Sequence, residues 1–420
     1  MRPLGRKLGL ILGLYAALKL RCSTVRARYR NARGTIHILD AALGIRADAP
    51  IAHYFLPQSV MRKSVFIQSV CILLLGAAAL AQTAGQTHIS HTTEGLRGVS
   101  AVSRDIAWAS GTHGTYIRTT DSHTWIAAQV PDAAGLDFRG VVAFSASEAF
   151  LMSSGSGDLS RIYHTADAGQ HWQLQFTNTN PKGFFDSMVF WDRTHGIVLG
   201  DPIPDESGKL RFELLLTDDG QTWTQIPPAQ LPPAVEGEGA FAASNSCLAI
   251  LSKGEASTLD PNIWFATGGK VARMFHSSDR GQTWQVFDTP ILHGPDSAGI
   301  FSIAFRDPTH GVIAGGDYKH PDQDGPDLAF TNDGGKTWTL SQIFPQAFYS
   351  AVAYDRRSKD VTLTRLFIVG PKFIYDFRLP QNPTRISPPR KSEFRFNALS
   401  PYPSGGVLAV GPKGTVATVP

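Results

Sequence analysis

Short apolar segments alternate with polar, glycine-containing turns along most of this chain of 420 residues. Residues 96–99 read Leu-Arg-Gly-Val, and residues 138–141 echo them as Phe-Arg-Gly-Val. A longer unit at 192–201 is echoed in the same way at 307–317. Many apolar residues in these segments recur at every second position, which is the period of a strand with one buried face. The pattern predicts an all-β protein made of repeated units of four short strands.

A phrase that ends in tryptophan, which we call the tryptophan repeat, occurs five times. Four copies fit Ser/Thr-x-Asp-x-Gly-x-x-Trp, with Leu216 as the exception at the first position, and a fifth copy at 119–125 is shorter and lacks the glycine. Successive tryptophans lie 47, 51, 61 and 54 residues apart, a period typical of β-propeller blades. The defining residues are Asp121 and Trp125; Asp167, Gly169 and Trp172; Asp218, Gly220 and Trp223; Asp279, Gly281 and Trp284; and Asp333, Gly335 and Trp338.

Each tryptophan repeat is interpreted as the turn of a β-hairpin. Its Asp can accept hydrogen bonds from backbone N–H groups of the same turn, and its Gly can adopt a positive φ without steric cost. The Trp then opens the next strand and can bury its ring between neighbouring sheets. Because equivalent copies on different blades cannot all lie at one site, we expect these aspartates to be structural.

The repeats also count the blades. They mark units near 95–130, 137–178, 184–227, 240–288 and 299–342, and two units without the repeat follow at 348–370 and 396–419. The last unit supplies three strands, and residues 87–92 can add a fourth, which would leave no exposed sheet edge. We therefore predict a seven-bladed β-propeller over 82–420, built of four-stranded antiparallel sheets and closed by an N-terminal strand; six or eight blades are the alternatives.

The first 81 residues have a different character. A positive segment at 61–64 precedes an apolar run at 65–80 and the small-residue sequence at 79–81, so residues 61–81 are predicted to be a secretory signal peptide cleaved after Ala81. An uncleaved membrane anchor is the alternative. Residues 1–60 are interpreted either as an upstream extension, with Met61 as the true start, or as a disordered basic segment at a membrane surface. We expect an exported protein, periplasmic or extracellular, without stable membrane insertion after cleavage.

Removal of residues 1–81 changes the charge of the chain. The formal net charge is +4 for the whole sequence, but residues 82–420 contain 27 Lys and Arg against 33 Asp and Glu. Nothing in this remainder indicates the clustered basic footprint that a nucleic-acid-binding protein normally has. Cys247 is the one cysteine left, so no internal disulfide can form, and no Cys/His metal spacing occurs. We expect a monomer without a metal or cofactor.

One candidate site lies on the first strands of the units. Our alignment of these strands places Arg97, Arg139, Phe185, Phe301, Tyr349 and Arg395 at equivalent positions near the channel. Guanidinium groups pair bidentately with carboxylates, so we predict that a partner is bound by Arg97, Arg139, Tyr349 and Arg395. The alternative is that each arginine caps a carbonyl group or packs against the next blade.

A second candidate site consists of acids that follow the second strands or precede the fourth unit. They are Asp201, Asp205, Glu236, Glu238 and Asp317. Two carboxylates at a suitable separation can hydrolyse a glycosidic bond, and such oxygens can also bind a hard cation. The alternative is that they are solvated loop acids.

At these residues the chain resembles the Asp-box, or BNR-repeat, β-propellers of the sialidase-like superfamily. It is similar in particular to the photosystem II stability/assembly factors and their non-photosynthetic bacterial relatives. The likeness covers roughly 90–420 and is carried by residues 331–338, by the turns at His195 and His310, and by residues 410–414. The resemblance implies a propeller that binds a partner through an arginine-rich patch. Arg97 and Arg139 match the general position of that patch. A sialidase would need a Phe/Tyr-Arg-Ile-Pro segment, which the sequence lacks.

These observations favour an exported, non-enzymatic β-propeller that binds a protein or peptide, in the manner of an assembly or stability factor. The alternative is a glycoside hydrolase or lyase that acts on a glycan through the carboxylates at the channel mouth. A carbohydrate-binding module without turnover is a third hypothesis. A pair of carboxyl groups about 5–9.5 Å apart in an open groove would favour hydrolysis.

Overall fold

A computed structural model describes residues 86–251, 260–341, 347–357, 364–371, 373–379, 390–391 and 395–420. The predicted signal peptide at 61–81 and the segment 1–60 lie outside the described residues.

The described chain forms successive antiparallel sheets. Blade 1 contains β2 (Leu96–Ala101), β3 (Ala107–Gly111), β4 (Thr115–Thr119) and β5 (Trp125–Gln129). Blade 2 contains β6 (Asp137–Ala143), β7 (Ala149–Ser154), β8 (Arg161–Thr165) and β9 (Gln173–Thr177). Blade 3 contains β10 (Phe185–Phe190), β11 (Gly196–Pro204), β12 (Leu210–Thr217) and β13 (Thr224–Gln225). Blade 4 contains β15 (Leu248–Ile250), β16 (Ile263–Ala266), β18 (Arg273–Ser277) and β19 (Gln285–Asp288).

The remaining sheets follow in the same way. Blade 5 contains β20 (Ala298–Phe305), β21 (Gly311–Asp317), β22 (Leu328–Thr331) and β23 (Thr339–Leu340), extended by β17 (Gly268–Gly269) and β14 (Glu238–Gly239). Blade 6 contains β24 (Ala351–Tyr354), β25 (Thr364–Gly370), β26 (Phe373–Leu379) and β27 (Arg390–Lys391). Blade 7 contains β28 (Ala398–Pro401), β29 (Val407–Gly411), β30 (Thr415–Val419) and β1 (Gln86–His88). Short 3₁₀ helices occur at Gly157–Leu159 and Pro228–Gln230.

The first strands of the blades contact one another in a closed ring, from β2 through β6, β10, β15, β20, β24 and β28 back to β2. They are therefore the innermost strands, and the other strands of each blade follow outward. The chain is a seven-bladed β-propeller, as the sequence predicts. The N-terminal strand β1 closes the ring, because it pairs antiparallel with β30 as the outermost strand of blade 7.

Blade 4 begins later than predicted. Its inner strand starts at Leu248, whereas the residues near 240 form β14, which joins the blade 5 sheet through β17. Glycines permit this extension, since a Cβ on Gly268 would lie 2.7 Å from the Cα of Gly299. No larger residue can bring the two backbones so close.

The hydrophobic core is divided among the seven interfaces between neighbouring blades. Each interface holds its own cluster of buried side chains, for example Phe212, Phe265 and Phe275 between blades 3 and 4. The same arrangement recurs around the ring, including the closing interface between blades 7 and 1. Such packing requires two apolar faces on the second strands, and β3, β7 and β21 are buried along their whole length.

The tryptophans of the repeats belong to these interfaces. Trp172 lies edge-on to Trp108 and Tyr116 of blade 1, with ring centroids 6.3 and 5.1 Å away. Trp223 and Trp284 similarly pack against the blade that precedes their own. Each such ring therefore joins its hairpin to the neighbouring sheet.

Hydrogen bonds to an aspartate hold the turn that precedes each tryptophan. Asp167 Oδ1 accepts from the N–H of His171 at 2.9 Å and from the hydroxyl of Thr165 at 2.9 Å. The hydrogen bond from the His171 N–H lowers the pKa of Asp167 to about 2. Ala168 and Gly169 both have positive φ, as the turn of a tight hairpin requires. Asp279 and Asp333 hold their turns through the same contacts.

The third repeat corrects the sequence interpretation. The aspartate that holds this turn is Asp219, not Asp218: Asp219 Oδ1 accepts from the N–H groups of Gln221 and Thr222, both at 2.7 Å. Thr217, not Leu216, donates its hydroxyl to Asp219 at 3.0 Å. The copy therefore has the short form seen at Asp121.

We predict that Asp219→Ala destabilises the propeller more than Asp218→Ala does. The first change removes the acceptor of two backbone N–H groups, whereas Asp218 makes one ion pair, with Arg280, at an exposed position. Urea unfolding followed by tryptophan fluorescence measures the difference. Equal shifts of the midpoint for the two variants would contradict the assignment.

Candidate functional site

Strand direction divides the connecting loops between two faces of the ring. The tryptophan repeats join third to fourth strands and lie where the first strands end. Two backbone hydrogen bonds demonstrate this: the N–H of Ala168 donates to the carbonyl of Ser147, and that of Gly334 donates to the carbonyl of Thr309. We call the opposite face, where the first strands begin, the entry face. Both predicted sites belong to loops or strand ends of the entry face.

A β-bulge interrupts the first strand near this face in four blades. Pairing skips Arg97 in blade 1, Arg139 in blade 2, Asp186 in blade 3 and Phe301 in blade 5. A bulged residue is left out of the ladder and its side chain is re-aimed. Four different side chains thus occupy one structural position around the channel.

The bulges change the alignment made from the sequence. Phe185 is not equivalent to Arg97 and Arg139, because the bulged residue of blade 3 is Asp186. Tyr349 is 1% exposed and packs with Phe373 of its own blade, so its ring is not accessible to a partner. This corrects its prediction as a binding residue.

Arg395 lies on the entry face, just before the first strand of blade 7. Its side chain is exposed, and it lies two residues before Asn397, the residue that matches the bulge position of blade 7. Asn397 itself donates its side-chain amide to the carbonyl of Leu96 in blade 1 at 2.8 Å. Its role is therefore to join two blades.

Two arginines on neighbouring blades share one carboxylate. Arg139 Nε donates to Asp137 Oδ2 at 2.8 Å, and Arg97 Nε lies 4.0 Å from Asp137 Oδ1. Arg139 Nη1 also donates to the carbonyl of Ala242 at 3.0 Å. Burial, together with the neighbouring charge of Arg139, lowers the pKa of Arg97 despite the opposing charge of Asp137. Two guanidinium groups and one carboxylate thus meet in a partly desolvated place.

Asp137 and Asp186 were not selected from the sequence. Both lie at the start of an apolar strand, Asp137 two residues before an arginine and Asp186 directly after Phe185. Both are charged residues within segments that the apolar pattern assigns to strands. That exception to the pattern is the signal by which the two aspartates could have been found.

Blade 3 contributes two buried carboxyl groups, those of Asp186 and Asp201, close to the arginine pair. Asp186 is 1% exposed, and burial followed by the charge of Asp201 raises the pKa of its carboxyl group well above the usual value. Asp201 Oδ1 accepts from the N–H of Ala240 at 2.9 Å. Burial nevertheless raises the pKa of Asp201 to about 6.

Three of the other predicted acids are held by basic side chains. Asp205 accepts from Arg211 Nε at 3.2 Å in the hairpin between β11 and β12. Glu238 is buried and accepts from Arg273 Nε at 2.9 Å. His320 Nδ1 lies 2.8 Å from Asp317 Oδ2.

The environment of each of these acids fits a structural role. Glu238 also accepts from the hydroxyl of Thr267 and from the N–H of Val235, so its oxygens are satisfied. Burial opposes ionisation of Asp317, but hydrogen bonds from His320, Ser297 and Lys319 outweigh it and lower its pKa. Glu236, the fifth predicted acid, is exposed on the loop before β14.

Three further observations concern the described residues. Among them, no group of three or more His, Cys, Asp or Glu side chains is arranged to hold a metal ion. None of them forms a helix with the length and apolar character needed to cross a membrane. Cys247 is buried, and burial raises the pKa of its thiol.

The seven sheets and the closed ring of their first strands define the class of protein, a seven-bladed β-propeller. No protein-family model matches the sequence, and no curated protein sequence matches it. Solved structures do match the fold. A structure of YCF48 bound to D1 peptide is similar with a TM-score of 0.51 and 16% identity, over 80% of this chain and 96% of that one.

Two other β-propellers show how broad this likeness is. The WD40 domain of Doa1 has a TM-score of 0.54 and 11% identity, over 80% of this chain and 97% of that one. The GH74 xyloglucanase from Xanthomonas campestris has a TM-score of 0.51 and 15% identity, over 80% of this chain but 53% of the longer enzyme. At such identities the comparisons establish the fold alone.

We predict that Asp201→Asn stabilises the protein at pH 8 and has little effect at pH 4. A carboxyl group whose folded-state pKa is raised contributes stability below its unfolded pKa of about 4, and this contribution is lost as the pH rises through about 6. Asn imitates the protonated form and keeps the acceptor for Ala240, so the gain at pH 8 is on the order of 2 kcal/mol.

Chemical denaturation at the two pH values measures this effect. Asp288→Asn, on the exposed outer strand of blade 4, is the matched control and should change little at either pH. A stabilisation of Asp201→Asn that is the same at pH 4 and pH 8 would contradict the titration argument.

Proposed function

We propose that this chain is an exported, non-enzymatic β-propeller that binds a protein or peptide partner through an anionic group at the entry face. The observation that carries the proposal is the pair Arg97 and Arg139, which share the single carboxylate of Asp137. An assembly or stability role toward that partner is part of the proposal.

The electrostatics of the pair support an anionic ligand. The side chains of Arg97, Arg139 and Asp137 are 33%, 28% and 24% exposed, so solvent reaches them only in part. Arg97 Nε is buried and has no hydrogen-bond partner within the described residues. A second carboxylate, supplied by an acidic side chain or a chain terminus, would pair with the solvent-accessible part of the two guanidinium groups.

The nature of the partner is argued from the shape of the fold. A β-propeller presents its loops and inner-strand ends as one broad rim, which suits a protein or an extended peptide. YCF48, which shares the fold, has been solved with a D1 peptide bound. That observation belongs to YCF48, and it supports peptide binding here by analogy of fold alone.

Three of the five predicted acids of the entry face are engaged in ion pairs, which does not favour glycoside hydrolysis. Asp205, Glu238 and Asp317 are each held by a basic side chain, and an acid–base pair for hydrolysis needs carboxyl groups that reach the substrate. Binding without turnover is therefore the function that the geometry supports best.

We predict that the double substitution Arg97→Ala and Arg139→Ala abolishes partner capture. Charge-assisted hydrogen bonds contribute about 1.5–3 kcal/mol each, so each single variant should bind about tenfold more weakly or worse. Affinity capture from an extract of the source organism, quantified by mass spectrometry, compares the variants with wild type. Lys336→Ala removes one exposed cation from the opposite face and should change nothing. The same captured proteins with the double variant would refute the proposal.

We also predict that the mature protein begins at Gln82. The predicted signal peptide ends in the small residues Ala79 and Ala81, which signal peptidases accept. N-terminal sequencing of the protein from the extracytoplasmic fraction measures the cleavage site. Ala79→Arg with Ala81→Arg should leave the precursor uncleaved. A wild-type protein that stays in the cytoplasm with residues 61–81 attached would contradict export.

A further inference from the structure

A cluster of four aromatic side chains lies on the entry face beside the arginine pair. We call it the aromatic cluster; it consists of Phe241, Phe301, Tyr318 and Phe348. The rings of Phe241 and Phe301 are stacked with centroids 3.9 Å apart and planes at 12°. Phe348 and Tyr318 both lie edge-on to Phe301, at 4.7 and 6.1 Å.

The cluster has a buried base and an accessible rim. Phe301 and Phe348 are 2% and 6% exposed, whereas Tyr318 is 48% exposed and Phe241 is half-buried. Tyr318 is one of the few large apolar side chains that the described residues expose. A tyrosine held edge-on to a buried ring offers a rigid aromatic contact to a ligand, with little side-chain entropy left to lose on binding.

The fold places this cluster on the same rim as the arginines. Phe301 is the bulged residue of blade 5, the position that Arg97 and Arg139 occupy in blades 1 and 2. The backbone also connects the two features directly, because Arg139 donates to the carbonyl of Ala242, the residue after Phe241.

Local backbone geometry shows that the Phe241 ring has a defined seat. A Cβ on Gly268 would lie 2.3 Å from Phe241 Cε2, and a Cβ on Gly299 would lie 2.8 Å from the same atom. The ring therefore rests against a glycine-only surface where β17 meets β20. Substitution of either glycine would displace the ring.

We propose that the aromatic cluster is a second subsite of the peptide-binding site and that it takes an aromatic side chain of the partner. This inference rests on the proposed function, since the carboxylate of the same peptide segment would pair with Arg97 and Arg139. The charge of the arginine pair and the exposed ring of Tyr318 together specify a segment that carries both an acidic group and a Phe, Tyr or Trp. The carboxylate supplies orientation, and the aromatic contact supplies specificity.

A random 12-residue peptide library displayed on phage tests the proposal. The full-length protein is the bait, in wild type, Tyr318→Ala, Tyr318→Phe and the double arginine variant, with Leu174→Ala on the exposed outer strand of blade 2 as control. Wild type, Tyr318→Phe and Leu174→Ala should enrich peptides that carry both an acid and an aromatic residue. Tyr318→Ala should keep the preference for acids and lose the preference for aromatics.

A recovered peptide then permits a double-mutant cycle by fluorescence polarisation. Replacement of its aromatic residue by Ala should weaken binding to wild type about three- to tenfold, the range that an aromatic pair provides, and should have no further effect on Tyr318→Ala. Enriched peptides with acids but no aromatic residue would overturn this inference and leave the proposed function intact. An aromatic preference that survives in Tyr318→Ala would also overturn it. Failure to enrich any peptide would overturn both.

Discussion

The inner edge of each blade sets the constraint on which the ring depends. An innermost strand has N–H and C=O groups on the edge that faces the channel, and no further strand pairs with that edge. Small polar side chains satisfy part of this edge and at the same time join the blades. Ser100 accepts from the N–H of Ala143 in the next blade, and Ser302 accepts from that of Val352. Links of this kind cross the other interfaces through Ser154, Asn245, Ser246, Ser350, Asn397 and Ser400.

The candidate site arises from the same inner edge. Where a bulge interrupts the first strand, one side chain is left out of the ladder. Arg97 and Arg139 occupy this position on one side of the ring and Phe301 on another. The same β-bulge, repeated at equivalent positions of different blades, thus places charged side chains on one part of the rim and an aromatic side chain on another. The apolar interfaces below the rim fix the distance between the two parts.

Local signals in the sequence were sufficient for the fold and insufficient for the site. The tryptophan repeat acts within one hairpin and one interface, so its period predicted the first five blades. The closing strand was predicted because the last unit supplies only three strands. The bulges depend on the pairing between strands, which the sequence pattern does not show. In blade 3 the bulged residue is therefore Asp186, where the sequence alignment had placed Phe185. The ion pair of Glu238 with Arg273 joins residues 35 positions apart, which no periodicity reveals. The role of Asp219 could have been predicted from the sequence, because Thr217 stands two residues before it, as Thr119 stands two residues before Asp121.

The closing strand β1 ties the completion of the ring to the order of synthesis. His88 Nε2 lies 2.8 Å from the hydroxyl of Thr418, and the two residues are 330 positions apart in sequence. Blades 1 to 6 need no strand from the opposite end of the chain. Blade 7 can be completed only at the step in which β1 pairs with β30, and that pairing closes a very long loop. Until that step the chain is an open arc, and its two terminal interfaces expose apolar surface to chaperones or to other chains.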